Sequence, residues 1–366
     1  MKAIHRLNVI VIVVLFLISG CRTGRDRKPS PTGQTSPTGT LSANTTSSPG
    51  ADPLAAFNAA AEYSEKTGGV SMLVWRDGEI VYERYPRGSS ASDAHVLHSG
   101  TKSFSCAMAV SAASDGLLTL DERVADTIHE WAGDPQKSQI TIRQLISLSS
   151  GLDGGIVGQT PTYTEALNFK MIGQPGKTFD YGPAPFQVFG ELMKRKLGGE
   201  SPLDYLDQKV FKPIGLVYES WEHTPEGDPH IPNGAHLTAR EWMKFGILIL
   251  NLGEWQGQQV LDETLLKECF VGSAANPGYG ISFWLPGVKG GDTSPENLDN
   301  GTTSNDPNNA FPADLIQAAG AQGQRLYIIP SLGVVIVRQA EPGLFQNAES
   351  FSNARFFRLI MGAFEN

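Results

Sequence analysis

Cysteine is scarce in this 366-residue chain, with three in all: Cys21, Cys106 and Cys269. So few, so widely spaced, exclude a disulfide framework and a Cys-rich metal cluster. Basic runs are missing as well. The formal net charge is −9 and the Lys and Arg residues are dispersed among acidic ones, so no stretch is suited to tracking a phosphate backbone, and nucleic acid is not an expected partner. Neither a Gly-x-Ser-x-Gly elbow nor a His-Glu-x-x-His pair occurs, which removes two common routes to hydrolysis and leaves no metal ligands at useful spacing. No cofactor and no metal is expected.

What is present begins with an address. Lys2 and Arg6 supply a positive start, and residues 9–18 form an apolar run too short for a typical spanning helix, the pattern of an export signal. That run ends in Ile18-Ser19-Gly20-Cys21, which resembles the box where bacterial lipoproteins are cleaved and acylated on the new terminal cysteine. The resemblance implies a signal peptide over 1–20, lipid on Cys21 and attachment to the cell envelope. Because Arg22 rather than Asp follows, it also implies the periplasmic face of the outer membrane where the host has two membranes. From Arg22 to about Pro53 the chain is mostly Ser, Thr, Pro and Gly. It lacks the apolar residues to form a core, so 21–53 reads as a flexible tether and 54–366 as the folded domain.

Within that domain, Met72-Leu73-Val74-Trp75 and Ile80-Val81-Tyr82 flank Asp77-Gly78, a strong hairpin signal. A second hairpin reads from 325–329 through Pro330-Ser331-Leu332-Gly333 to 334–337. Helical patterns fill the middle, over 101–114, 141–149 with Thr141 as cap, 186–197 and 239–251. Hairpins at both ends and helices between predict an α+β fold, with an antiparallel sheet built from N- and C-terminal strands and helices packed on it. Residues 289–309 are rich in Gly, Asp, Asn, Ser and Thr; the spacing of Asp292, Asp299 and Asp306 fits no calcium-loop template, so a solvated loop is expected. Cys106 and Cys269 are expected to be free, buried thiols, with pairing in an exported protein left open.

The segment that carries chemistry is His98-Ser99-Gly100-Thr101-Lys102-Ser103-Phe104, the chain's one Ser-x-x-Lys. Three residues is almost one helical turn, so hydroxyl and amine project from the same face. A serine hydroxyl is a poor nucleophile at neutral pH. A lysine can take its proton only where burial and dipoles favour the neutral amine, and the first turn of a helix supplies such dipoles. His95 and His98 precede this segment and are assigned no role.

At these residues the sequence resembles the serine β-lactamase-related hydrolases of the class C type, which include penicillin-binding proteins, carboxylesterases and nylon-oligomer hydrolases. The resemblance extends through the first hairpin, Gly116-Leu117-Leu118-Thr119-Leu120-Asp121, Ile140-Thr141-Ile142-Arg143-Gln144-Leu145, Ser149-Ser150-Gly151-Leu152, Phe179-Asp180-Tyr181, Thr238-Ala239-Arg240-Glu241 and Tyr279-Gly280. It implies a β-lactamase/transpeptidase-like fold with a mainly helical subdomain. It implies Ser99 as the acylated nucleophile, Lys102 as its base and Tyr181 as the proton shuttle to the leaving group. Gly320 and Ala321 would form the substrate strand, with the N–H groups of Ala321 and Ser99 as an oxyanion hole.

Two departures bear on substrate. Pro183 stands where the family's tyrosine motif ends in Asn, and Ala318 stands where a Lys or His begins the strand motif, here Ala318-Ala319-Gly320-Ala321. A site without that cation suits esters and small amides better than carboxylate-bearing β-lactams or peptidoglycan stems. Arg325, a few residues on, is a possible substitute whose aim depends on strand alternation. The expected partners are therefore a small-molecule ester or amide and the membrane that holds the lipid. The alternatives are a β-lactamase or D,D-peptidase, and a catalytically silent envelope-binding protein on the same fold. Glu165-Ala166-Leu167-Asn168 resembles the class A deacylation motif only with one residue deleted, and reads as an ordinary helix.

Overall fold

The computed structural model describes residues 52–290, 311–341, 343 and 349–364. Cys21 and the tether, and the acidic residues Asp292, Asp299 and Asp306, lie outside them.

Asp52 caps α1 (Pro53–Lys66) by accepting from the Leu54 N–H, and Pro53 takes the first helical position, where its missing donor is harmless. The expected first hairpin follows as β1 (Gly69–Arg76) and β2 (Glu79–Arg84). Its turn residues Asp77 and Gly78 have φ of 50° and 100°, the doubly positive pair that matches strand twist. After β3 (Ala94–Val96) comes a 3-10 turn, His98–Ser103, which runs into α2 (Phe104–Ser114). The sequence pattern reads this stretch as one α-helix from 101. In the tighter 3-10 winding residues three apart eclipse, which stacks Lys102 against Ser99.

The middle of the chain is mostly helical. Capping boxes open α3 (Ile142–Ile146), from Thr141 and Gln144, and α4 (Tyr163–Leu167), from Thr162 and Glu165. The first stops short of the expected residue 149 because Leu148 adopts a positive φ of 56°. Further along lie α5 (Ala184–Lys196), α6 (Pro202–Leu206), α7 (Lys212–Ile214), β4 (Ser220–Trp221) and β5 (Ala235–Thr238). Thr238 then caps α8 (Ala239–Leu250) through the Glu241 N–H. The small pair β6 (Glu254–Trp255) and β7 (Gln258–Gln259) precedes α9 (Glu263–Glu268). The chain returns to the sheet as β8 (Ile316–Gly320), β9 (Gln324–Ile329) and β10 (Val334–Ala340), and ends in α10 (Asn353–Met361).

The sheet runs β2-β1-β10-β9-β8, antiparallel throughout, so strands from both ends of the chain meet at the β1–β10 pair as the hairpin pattern predicts. Strand alternation sorts its residues to two cores. Met72, Val74, Tyr327 and Ile336 face α1 and α10, while Leu73, Leu326, Val335 and Val337 face α8 and α2. Thus β8 forms one edge of the sheet, beside the 3-10 turn that bears Ser99.

Cys106 and Cys269 are paired rather than free. Both are buried as expected, but α2 packs against the end of α9 and sets their Cα atoms 6.3 Å apart, within bridging range.

Arg338 anchors the β10 end of the sheet. It is fully buried, and its guanidinium donates to Ser64 Oγ at 2.9 Å, Gly323 O at 2.6 Å and Thr67 O at 3.0 Å, while lying 3.8 Å from the Phe351 ring centre. One side chain thereby satisfies carbonyls from α1 and from the β8–β9 turn. Arg338→Met is expected to leave those carbonyls dry and unbonded and to cost about 3 kcal/mol, read from the urea midpoint of the purified domain.

Candidate active site

Ser99 is the second residue of the 3-10 turn and is 9% exposed; Lys102, one turn on, is 4% exposed. The Lys102 Nζ donates to Ser99 Oγ at 3.0 Å and to the Pro232 carbonyl at 3.3 Å. Two aromatic rings cover the amine: the centre of Tyr181 lies 5.0 Å from it and that of Phe186 lies 5.5 Å away. The nucleophile and base candidates are therefore in direct contact, and the third member of the predicted trio stands over the amine.

Why Tyr181 sits there follows from its neighbours. The Asp180 N–H donates to Leu148 O at 3.0 Å, and the Asp180 carboxylate accepts from the Gly154 N–H at 2.6 Å. Gly182 passes so close to Gly154 that a side chain at either position would overlap backbone, which accounts for glycine at both. Trp284 lies against the Tyr181 ring at 5.3 Å, and Tyr279 meets both, at 6.3 Å from Tyr181 and 4.6 Å from Trp284. The Tyr279-Gly280 motif is thus part of a wall behind Tyr181.

Trp284 also pairs with the edge strand: its N–H donates to Gln317 O and its carbonyl accepts from the Gln317 N–H, each at 2.9 Å. Backbone groups of Gln317 therefore point off the outer edge of β8, and two-residue alternation sends those of Ala319 and the Ala321 N–H the same way. Arg325 fixes the other side of this edge. Its Nη1 donates to Gly320 O at 2.9 Å, so that carbonyl faces inward, toward β9. In a trans peptide the N–H points opposite to the C=O, and the Ala321 N–H is held outward. Gly320 itself lies against the Leu97 carbonyl and the Gly100 nitrogen, 3.1 Å from where a Cβ would be in the latter case. This contact brings β8 onto the turn that bears Ser99.

The same geometry answers the question of Arg325. Its register partner is Ala319, and its Nε donates to Asn353 Oδ1 at 3.1 Å, on the α10 side of the sheet. Ala318 pairs with Leu326 and faces the α8 side. Arg325 does not stand in for the cation missing at Ala318. Pro183, in place of Asn, leads into α5 as its N-cap, with no side-chain hydrogen bond to the helix.

Of the two histidines, His95 Nδ1 pairs with Glu341 Oε1 at 2.6 Å. His98 adopts a positive φ of 48° directly before the nucleophile. Burial lowers its pKa from the ordinary 6.5, so the ring is neutral at pH 7. Glu165 belongs to the capped helix α4, as its sequence reads.

Sequence reasoning did not find Pro232, Phe186 or Trp284. The first acts through a main-chain carbonyl, which leaves no side-chain signature. Phe186 has the look of an ordinary apolar helix residue, and Trp284 stands outside any spaced motif.

A Ser-x-x-Lys pair in a buried turn, a tyrosine held over the amine and an edge strand with an outward N–H define a β-lactamase/transpeptidase-like serine hydrolase scaffold. The profile of the Beta-lactamase family matches residues 55–340, and the chain belongs to that family. Among curated proteins it is similar to lovastatin esterase of Penicillium rubens, 25% identical over 204 residues, which are 44% of this chain and 50% of that one. The chain thus spans about half the length of that curated relative. Among solved structures it resembles EstCE1, a hydrolase with promiscuous acyltransferase activity, at 16% identity and a TM-score of 0.64 over 86% of this chain and 99% of the other. A class C beta lactamase from Rhodobacter sphaeroides matches at 18% identity and a TM-score of 0.60, over 85% and 98% of the two chains. At these identities the structural likeness establishes the fold.

Gly320→Ala tests the approach of β8 to the nucleophile turn. The added methyl would displace the strand, and a shift near 1 Å at reacting groups is expected to lower kcat/KM for a p-nitrophenyl ester by about 100-fold. Steady-state kinetics on the folded variant checks this.

Proposed function

We propose that the protein is an acyl-transfer serine hydrolase of esters or small amides, held at the cell envelope by lipid on Cys21. The observation that carries the reading is the 3.0 Å hydrogen bond between the buried Lys102 amine and Ser99. Its place against Ser99 Oγ, buried under the rings of Tyr181 and Phe186, suits Lys102 to act as base. Its nitrogen takes the Ser99 proton as Oγ attacks the acyl carbon. The N–H groups of Ser99 and Ala321 hold the tetrahedral oxyanion. Collapse of that intermediate breaks the bond to the alcohol or amine, which leaves with a proton passed through Tyr181. Water then attacks the acyl-Ser99 ester, its proton passing through Tyr181 and Lys102 to Ser99 Oγ as the acyl–oxygen bond breaks, and the carboxylic acid departs.

Choice of substrate rests on Ala318 and Arg325. With alanine at the strand position and the guanidinium tied to Asn353 and Gly320 on the far side, nothing at Ala318 pairs with a substrate carboxylate. Esters and neutral amides need no such partner, which favours them over β-lactams and peptidoglycan stems. The names of the esterase and hydrolase relatives agree with this direction.

Ser99→Ala is expected to lower hydrolysis of short p-nitrophenyl esters by on the order of 10⁴-fold or more. In parallel, a fluorophosphonate is expected to label the wild-type protein at Ser99, located by peptide mass spectrometry, whereas fluorescent penicillin is expected to leave it unlabelled. Labelling by both would make it a penicillin-recognising enzyme, and labelling by neither a binding protein.

A further inference from the structure

A cavity of about 680 Å³ opens between the segment 153–161 and helix α4, within the range of sites that enclose small molecules. Ile156, Pro161 and Phe169 form one part of its lining, and the acidic residues Asp153 and Glu165, whose carboxylates accept from the Gly155 and Thr162 N–H groups, belong to the rest. Ile156 is 64% exposed and its neighbour Val157 is 51% exposed, so this segment holds two branched side chains out in water, at a cost that a ligand's hydrocarbon would remove.

Both ends of the segment are fastened to residues that adjoin partners of Lys102. At the first, the Gly154 N–H donates to the carboxylate of Asp180, next to Tyr181, and the Gly154 carbonyl accepts from the Ala184 N–H at 2.9 Å. At the other, Thr160 Oγ1 donates to Asn233 Oδ1 at 2.9 Å. Asn233 directly follows Pro232, whose carbonyl receives the Lys102 amine. The floor is fixed as well: Gly155 lies against Phe169 and the Ala184 side chain. The segment that lines the cavity is thereby tethered to residues adjoining Tyr181 and Pro232.

We propose that this cavity binds the hydrophobic group flanking the scissile bond of the substrate, and that its two carboxylates exclude substrates bearing a negative charge at that end. This rests on the acyl-transfer reading and narrows it to esters or amides with a medium-length uncharged hydrocarbon. Burial of each additional methylene in such a site raises kcat/KM roughly fourfold until the space is filled. A carboxylate at the chain's far end would meet Asp153 and Glu165 and lose that gain.

The test uses the purified protein and two ester series, p-nitrophenyl esters of acids from acetate to decanoate and acetates of the matching linear alcohols, with the p-nitrophenyl monoester of octanedioic acid as the charged probe. A rise with chain length in one series is expected, and the series that shows it identifies acyl or alcohol occupancy. Ile156→Asp, at an exposed position where folding is safe, is expected to lower the octyl-to-acetyl ratio of kcat/KM about tenfold. The octanedioate monoester is expected to fall at least tenfold below the octanoate, and Asp153→Asn to narrow that gap. Flat profiles in both series, or a ratio that Ile156→Asp leaves unchanged, would overturn the cavity assignment while acetate hydrolysis and Ser99 labelling still stood. Loss of those two in the wild-type protein would overturn the underlying reading instead.

Discussion

The close passage of Gly320 against Leu97 and Gly100 is the contact on which the rest of the site depends. A β-strand edge and a 3-10 turn come from opposite ends of the chain, and only a residue without a Cβ lets them touch. Once they do, the end of β8 lies against the turn that bears Ser99. Arg325 secures the arrangement from behind, since holding the Gly320 carbonyl inward leaves one direction for the adjoining N–H. The guanidinium is itself held by Asn353 at the start of α10, which also accepts from the Tyr327 hydroxyl. A terminal helix distant in sequence thus contributes to the orientation of a peptide plane at the nucleophile.

Tyr181 is set by a second chain of contacts. It lies on a loop, and its ring is placed by Trp284, which is hydrogen-bonded to the same edge strand. The segment carrying Tyr279 and Trp284 is tied down through the Ile281 N–H to Cys269 O at 2.9 Å and the Ser282 N–H to Ile146 O at 3.1 Å. Cys269 in turn is joined covalently to Cys106 on α2, two turns beyond Ser99. Helix α2, the aromatic wall behind Tyr181 and the edge strand therefore close into one ring of contacts. Relative motion of any two must strain the third, which is the kind of pre-organisation acyl transfer requires.

Much of this was readable in the sequence, for physical reasons that differ by element. Asp77-Gly78 announced a hairpin because few other dipeptides accept two positive φ values. Thr141 with Gln144 announced a helix start because the pair satisfies backbone donors reciprocally. Ser99 and Lys102 were legible because spacing along a helix places them on one face. The limits are equally physical. Whether Cys106 meets Cys269 depends on how α2 packs against α9, and no local pattern encodes a tertiary distance. The aim of Arg325 depended on strand register, which is set by pairing with β8 and β10. The carbonyl of Pro232 is invisible to any reading of side chains.

Charge at the substrate strand shows how these levels combine. A lysine or histidine at position 318 would face the α8 side of the sheet, the side on which Leu326 packs and where Gly320 touches the nucleophile turn. Alanine there leaves a small apolar surface. The cation on the neighbouring strand is displaced by one residue of alternation to the opposite face, where it bonds to main-chain carbonyls and Asn353. Moving a full positive charge through the sheet is not a conformational option. An anionic substrate group at this strand would therefore give up its hydration with no charge-assisted partner at position 318, whereas a neutral ester forgoes nothing. The charge at this strand is thus set by strand parity as much as by composition.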